Sequence, residues 1–226
     1  MRFFIAILIG CSMIGCDQER DLPLISASPD YYPIEIGQFR TYWVEEVTFS
    51  LLDPDTSRYL LREVIADSLI NPEGVVRYLI HRYVADDSIT FKLDSVWSVY
   101  KTGQSVVVTE NNIPFVKLIQ PVDRSRTWDG NAFNRLSSLT YYFQESTIHP
   151  NVTVDLTSRD LIDVILEDIP ANLVNQDERR ETYAAGIGLV QKDYVTLGFC
   201  TLDCRAAGEI QSGRVLRQWL VEYGNL

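Results

Sequence analysis

Histidine is nearly absent from this chain: there are two in 226 residues, His81 and His149. That excludes a histidine-rich metal centre, because zinc takes four ligands and imidazole is its usual nitrogen donor. Neither the G-x-S-x-G elbow of α/β-hydrolases nor the H-E-x-x-H of zinc peptidases occurs. No apolar run approaches the roughly 20 residues of a membrane-spanning helix. Basic charge is also short, with 20 Lys+Arg against 31 Asp+Glu and a net charge of −11. Phosphate recognition needs a concentrated basic face, so nucleic acid is not an expected partner. The sequence contains neither an internal repeat nor a low-complexity segment.

What is present begins with an address. Arg2 supplies a positive start, and residues 3–14 form an apolar stretch of roughly a dozen residues, the length of a secretory signal core. The stretch ends in Met13-Ile14-Gly15-Cys16, which resembles the lipobox of bacterial lipoproteins. In that family the cysteine thiol receives a diacylglyceryl group, the signal is cut off, and the new N-terminus is acylated. Met13 stands where Leu is usual. Leu8-Ile9-Gly10-Cys11 has the better residue but leaves an apolar core of only about five residues, so Cys16 is the favoured lipid site. The competing reading is an ordinary cleaved signal with an incidental cysteine. Two or more acyl chains hold a protein stably on a membrane, where one is marginal.

The implied division is a signal peptide at 1–15, a lipidated Cys16 with a tether to residue 30, and one β-rich domain over 31–226. Asp17, Glu19 and Asp21 follow the cysteine. This acidic start resembles the surface-export signal of Bacteroidetes-type lipoproteins, although Asp directly after the cysteine signals inner-membrane retention in enterobacteria. The expected location is the cell envelope, lipid-anchored, with the outer membrane favoured.

The body reads as strands. Residues 39–49 alternate, with Phe39, Thr41, Trp43 and Val47 on one face and Arg40, Glu46 and Thr48 on the other, a half-buried strand pattern. A hairpin is expected between residues 58–69 and 76–84, turning at Asn71-Pro72-Glu73-Gly74, which suits a type I turn. Further runs are expected at 91–99, 105–109, 115–119, 139–143, 152–156, 189–199 and 214–223. In the last, Val215, Trp219, Val221 and Tyr223 share a face. Residues 160–168 suit either a strand or one short helix capped by Thr157. The sum is an all-β, mostly antiparallel meander of roughly ten strands, a curved sheet, barrel or sandwich with at most one or two short helices.

Three patches resemble a group of uncharacterised Bacteroidetes-type lipoproteins with a β-rich domain: Tyr32-Pro33-Ile34-Glu35-Ile36-Gly37 leading to Trp43, residues 128–133 from Trp128 to Phe133, and residues 183–190 from Tyr183 to Val190. The resemblance implies a β-domain on a lipid tether and carries no activity with it. The same patches have a plain structural reading. Gly37 suits the turn before the first strand, Gly186 and Gly188 suit positive φ between strands, and Trp43 and Trp128 suit core or loop packing.

Few residues offer chemistry. Cys200 and Cys204 flank a short loop, and in an oxidising compartment a disulfide is the natural reading. Its contribution by chain entropy is about 2 kcal/mol at most. Free thiols or half of a zinc site are the alternatives. His81 falls on the Arg77 face of its strand, and His149 precedes Pro150 in a turn. Asp53-Pro54-Asp55-Thr56 and Asp86-Asp87-Ser88 are acidic turns without the full EF-hand loop. Asn151-Val152-Thr153 matches a glycosylation sequon that has little meaning in a bacterial lipoprotein. No catalytic residue, metal or cofactor is expected, and the chain does not read as an enzyme. Two functions remain in view. One is a membrane-held binding module for an envelope protein or polymer. The other is a carrier that encloses an apolar, lipid-like ligand in a β-barrel.

Overall fold

The computed structural model describes residues 29–50, 53–86, 90–146, 148, 152–202, 204, 206 and 208–226. Signal, Cys16 and nearly all of the tether lie outside these residues, as do Asp87, Ser88, His149 and Asn151.

Twelve strands form one antiparallel sheet: β1 Gln38–Phe49, β2 Asp55–Ile70, β3 Val76–Ala85, β4 Lys92–Lys101, β5 Ser105–Glu110, β6 Ile113–Ile119, β7 Thr127–Asp129, β8 Thr140–Gln144, β9 Leu161–Ile169, β10 Asn175–Ala184, β11 Gly188–Phe199 and β12 Ile210–Asn225. Their order is β6-β5-β4-β3-β2-β1-β12-β11-β10-β9-β8-β7. The first and last strands of the chain therefore pair in mid-sheet, with Trp43 opposite Trp219. The sheet's two ends meet as well. Val116 N donates to Gly130 O at 2.9 Å, and Trp128 Nε1 donates to Val116 O at 2.8 Å. This seam nearly closes the sheet into a barrel, which removes the exposed edges an open sheet would present.

The expected hairpin forms as β2 and β3. Gly74 N donates to Asn71 O at 2.9 Å, and Asn71 Oδ1 accepts from Val75 N at 2.7 Å. Gly37, Gly186 and Gly188 take φ of 92°, 76° and 103°, the left-handed region that glycine enters at no steric cost. Residues 161–169 are strand β9. Its inward Ile162, Val164 and Leu166 are buried, and β-branched side chains fit a pleated sheet better than a helix. Among the described residues there is no helix.

Three expectations are corrected. Residues 152–156 are not a strand; Leu156 is buried and Asp155 caps a turn by accepting from Thr157 N at 3.0 Å. Strand β10 escaped the sequence reading because Asn175 to Glu181 is almost wholly polar. It is held between β9 and β11 in the sheet interior, and its Asp177, Arg179, Arg180 and Glu181 are in ion pairs. The single face expected of Val215, Trp219 and Tyr223 is also broken: a register shift between Thr41 and Tyr42 places Tyr223 opposite Arg40 and Trp219 opposite Trp43, on opposite faces. Arg40, Tyr42 and Val44 point into the core with Leu216, Gln218 and Leu220, while Phe39, Trp43, Val215 and Trp219 lie on the outer face. Aromatic residues hold outside because they find partners there. Arg62 stacks between Phe39 and Phe91 at 5.1 and 4.4 Å and bonds Glu222 at 2.8 Å.

The core runs continuously through the barrel, from Tyr42, Leu61, Ile65 and Ile80 to Val164, Tyr183, Val190 and Leu220. In β5 and β6 consecutive residues are buried: Val106, Val107 and Val108, then Val116, Lys117, Leu118 and Ile119. That part of the sheet is covered on both faces, so its sequence is continuously apolar rather than alternating.

Candidate functional site

The interior contains a cluster of charges that the sequence analysis did not find. Lys117, from β6, reaches Glu181 of β10 at 2.9 Å and Glu110 of β5 at 2.8 Å. Lys192 of β11 adds a second cation to Glu181 at 3.2 Å. Tyr183 and Tyr194 each donate a hydroxyl hydrogen bond to Glu181 at 2.6 Å. Glu181 is 1% exposed and Lys117 4%, so the pairs are out of water. A bulge between Val106 and Val107 in the β5–β6 ladder leaves Lys117 without a direct cross-strand partner. That irregularity lets one lysine turn inward among apolar neighbours.

Neighbouring groups extend the network. Arg82 pairs with Glu63 at 3.1 Å and lies over the Trp97 ring, 3.6 Å from its centre, a cation–π contact. Arg40 donates Nη1 to Ile187 O at 3.1 Å, and Tyr42 donates its hydroxyl to Leu189 O at 3.0 Å. Both bonds tie β1 to the turn where β10 hands over to β11. Gly188 is required there: a Cβ at this position would lie 2.1 Å from Arg40 Nη1.

The electrostatics follow from the pairing. Burial pushes the Glu181 carboxyl up, but Lys117, Lys192 and the two tyrosine hydroxyls together hold it well below the usual carboxylate range. Glu110 is lowered in the same way, against burial, by Lys117 and Lys192. For Lys117 burial acts to release the proton, and the two glutamates outweigh it, so the ammonium is held well above its ordinary value. Burial and the Glu181 charge push the Tyr183 and Tyr194 hydroxyls well up. At neutral pH Glu110 and Glu181 are therefore ionised, Lys117 is protonated, and Tyr183 and Tyr194 are neutral phenols. The arrangement works as a clamp across the barrel.

The clamp leaves little room. The space between Tyr32, Glu63, Trp97, Lys117, Glu181 and Lys192 measures about 20 Å³. A single water needs roughly 10–15 Å³, and small-molecule pockets run from about 300 Å³ upward. Two larger recesses lie toward the surface. One of about 360 Å³ lies over β9 to β11, beside Glu167, Asp168, Arg179, Arg180 and Asp193, whose charges already pair: Arg180 meets Asp193 at 3.0 Å, and Arg179 meets Asp177 at 2.7 Å. Another of about 500 Å³ lies between Asp30, Ile34, Glu35 and the β2–β3 turn.

The sequence-predicted residues are scattered. Cys200 and Cys204 are joined by a disulfide with Cα atoms 5.7 Å apart. His81 is on the outer face of β3, in hydrogen-bond contact with the Tyr83 hydroxyl at 3.3 Å. Trp128 packs against Tyr141 and Phe143 at ring separations of 5.9 and 4.6 Å, as seam packing. Asp53 and Asp55 lie at the entrance to β2. Among the described residues no group of three or more His, Cys, Asp or Glu could hold a metal ion. The signal that was available for the interior cluster is Lys117 itself, a lone charge inside Phe115-Val116-Lys117-Leu118-Ile119.

Exposed apolar residues gather at the barrel's two ends. The end where the described chain begins carries Ile36, Leu69, Ile70 and Val76. The opposite end carries Ile169, Leu173, Val174 and, on the disulfide loop, Leu202. Strands of nine or more residues separate the two ends, a span of about 30 Å at the usual strand rise.

No protein-family model matches the sequence, and no curated protein matches it. A solved structure with a similar course is that of a presumed exported protein of Bacteroides fragilis with a YmcC-like fold. It is 10% identical, covers 86% of this chain and 98% of its own, and has a TM-score of 0.45, a likeness too loose to carry a function across.

Proposed function

We propose that this protein is a lipid-anchored module of the cell envelope that binds through its outer surface. Cys16 carries the lipid, residues 17–30 form the tether, and the β-barrel is the working domain, held at a membrane with the outer membrane favoured. The observation that carries this reading is the filled interior. A barrel whose lumen is crossed by Lys117–Glu181 and Tyr42–Leu189 bonds and encloses about 20 Å³ beside them has no space there for a lipid, which weighs against the carrier. What it offers instead is apolar surface at its ends. Leu173 is 90% exposed and Leu202 83%, and both lie at the end away from the tether, where a partner in the envelope would meet them. The reading assigns the domain no catalytic step and no cofactor.

The test is native mass spectrometry of the chain purified from membranes, compared with its denatured mass. The module reading expects an acyl mass on Cys16 that survives denaturation and no other mass lost. Release of a lipid-sized molecule on denaturation would overturn it in favour of the carrier.

A further inference from the structure

The end of the barrel nearest the tether presents apolar side chains that none of the described residues covers. Ile70 is 73% exposed, Ile36 59%, Leu69 56% and Val76 37%. Ile70 and Val76 are cross-strand partners at the tip of the β2–β3 hairpin. Ile36 follows Glu35, which lines the same recess as Val76. The tip is a rigid hairpin end, closed by the Asn71–Gly74 bond and by Val75 N on Asn71 Oδ1.

The chain leaves the barrel at this same end, and the exit is pinned. Lys101 Nζ meets both carboxylate oxygens of Asp30 at 2.8 Å, Gly186 N donates to Asp30 O at 2.8 Å, and Tyr32 N donates to Asp30 Oδ1 at 3.0 Å. Between Cys16 and the described chain lie residues 17–28, twelve in number. They span about 40 Å at full stretch and about 20 Å as a flexible coil. The coil length is shorter than the about 30 Å between the two ends, so a lipid on Cys16 holds this end nearer the bilayer than the opposite one. Bulky aliphatic side chains on a short rigid tip are the kind that enter the headgroup–acyl boundary. The charges around them are mostly acidic, Glu35, Asp67 and Glu73 against Arg77, and Arg77 lies over the Tyr100 ring at 4.3 Å. An anionic surface would repel such a rim.

We propose that Ile36, Leu69, Ile70 and Val76 form a membrane-contacting face that seats in the interface of a zwitterionic bilayer and fixes the barrel's orientation on it. The proposal rests on the lipid anchor at Cys16 for its geometry. An environment-sensitive fluorophore on Ile70→Cys, in the full mature chain on phosphatidylcholine vesicles, tests it, with Leu173→Cys as the opposite-end control. Both positions are exposed, so neither label disturbs the core. Nitroxide-bearing lipids should quench the Ile70 label several-fold more than the Leu173 label. Leu69→Ser and Val76→Ser introduced together should remove most of that difference, and anionic lipid should reduce it. Equal quenching at the two positions overturns the proposal. The mass of the mature chain reports the anchor separately. If Cys16 carries no lipid, the anchor reading fails on its own, and the same labels on the unlipidated chain at high lipid concentration decide the face, absence of Ile70 quenching there overturning it.

Discussion

Lys117→Met is the sharpest probe of the interior. The substitution keeps an unbranched side chain of similar length and deletes the charge that Glu110 and Glu181 share at 2.8 and 2.9 Å. In the native cluster two carboxylates, Glu110 and Glu181, balance two ammonium groups, Lys117 and Lys192. With Lys117 gone, Lys192 alone faces both glutamates, and one negative charge is left buried without compensation. Breaking a buried pair from one side costs about 3–5 kcal/mol. A domain of this kind is stable by about 5–15 kcal/mol in total, so the loss should be plain in urea unfolding followed by tryptophan fluorescence. Adding Glu181→Gln to Lys117→Met restores neutrality, with Glu110 and Lys192 remaining. Its amide oxygen still accepts from one of the Tyr183 and Tyr194 hydroxyls, and its amide nitrogen takes the place of the oxygen that receives the other. The double variant should therefore recover about half of the loss, although Glu181→Gln alone destabilises. A cost below about 1 kcal/mol for Lys117→Met, or a double variant weaker than the single, would refute the clamp.

Two further outcomes follow from the same geometry. The Glu181 and Glu110 carboxyls are held below their ordinary value of 4.5, so the stability they contribute is complete above about pH 4.5 and lost as pH falls below it. Lys117, Tyr183 and Tyr194 are held above ordinary values of 10.5 and 10.0, so their contribution is complete below about pH 10 and lost as pH rises beyond it. Unfolding measured across pH should fall at both limits, and in Glu181→Gln the acid limb should be shallower by up to about 1.4 kcal/mol per pH unit; an unchanged acid slope would contradict the assignment. At the seam, a Cβ on Gly130 would sit 2.1 Å from Tyr141 Cζ, and the ring has Trp128 beside it. Gly130→Ala should cost about 1–3 kcal/mol by overpacking. Gly74→Ala, with φ of 80° and open space around it, should cost only about 1 kcal/mol; thermal melts of the two variants check the order.

The sheet was legible in the sequence where one face differs from the other. The β2–β3 hairpin, its Asn71–Gly74 turn and the glycines at 37, 186 and 188 all follow from local chemistry. Illegible were the places where a long-range partner overrides local pattern. Asn175 to Glu181 reads as a polar loop because the groups that neutralise it, Asp163, Asp193, Lys117 and Lys192, are supplied by other strands. In β1 both faces carry aromatic residues, and alternation alone does not say whether Arg40 or Trp43 points inward. Arg40 goes inward because Ile187 O and the Tyr32 ring receive it, at 3.1 and 5.3 Å. The interior clamp was hidden for the same reason: Lys117 and Glu181 lie 64 residues apart along the chain.

The pairing of β1 with β12 sets an order of assembly. All twelve residues of β1 find partners in a strand that begins at Ile210, so the middle of the sheet is joined only once β12 has been made. Until then β1 to β6 and β7 to β11 are two separate meanders, and β12 alone is needed to join them. Such distant contacts make folding slow. The first strand therefore stands paired with β2 on one side only, and the barrel shuts when the last strand fills the other.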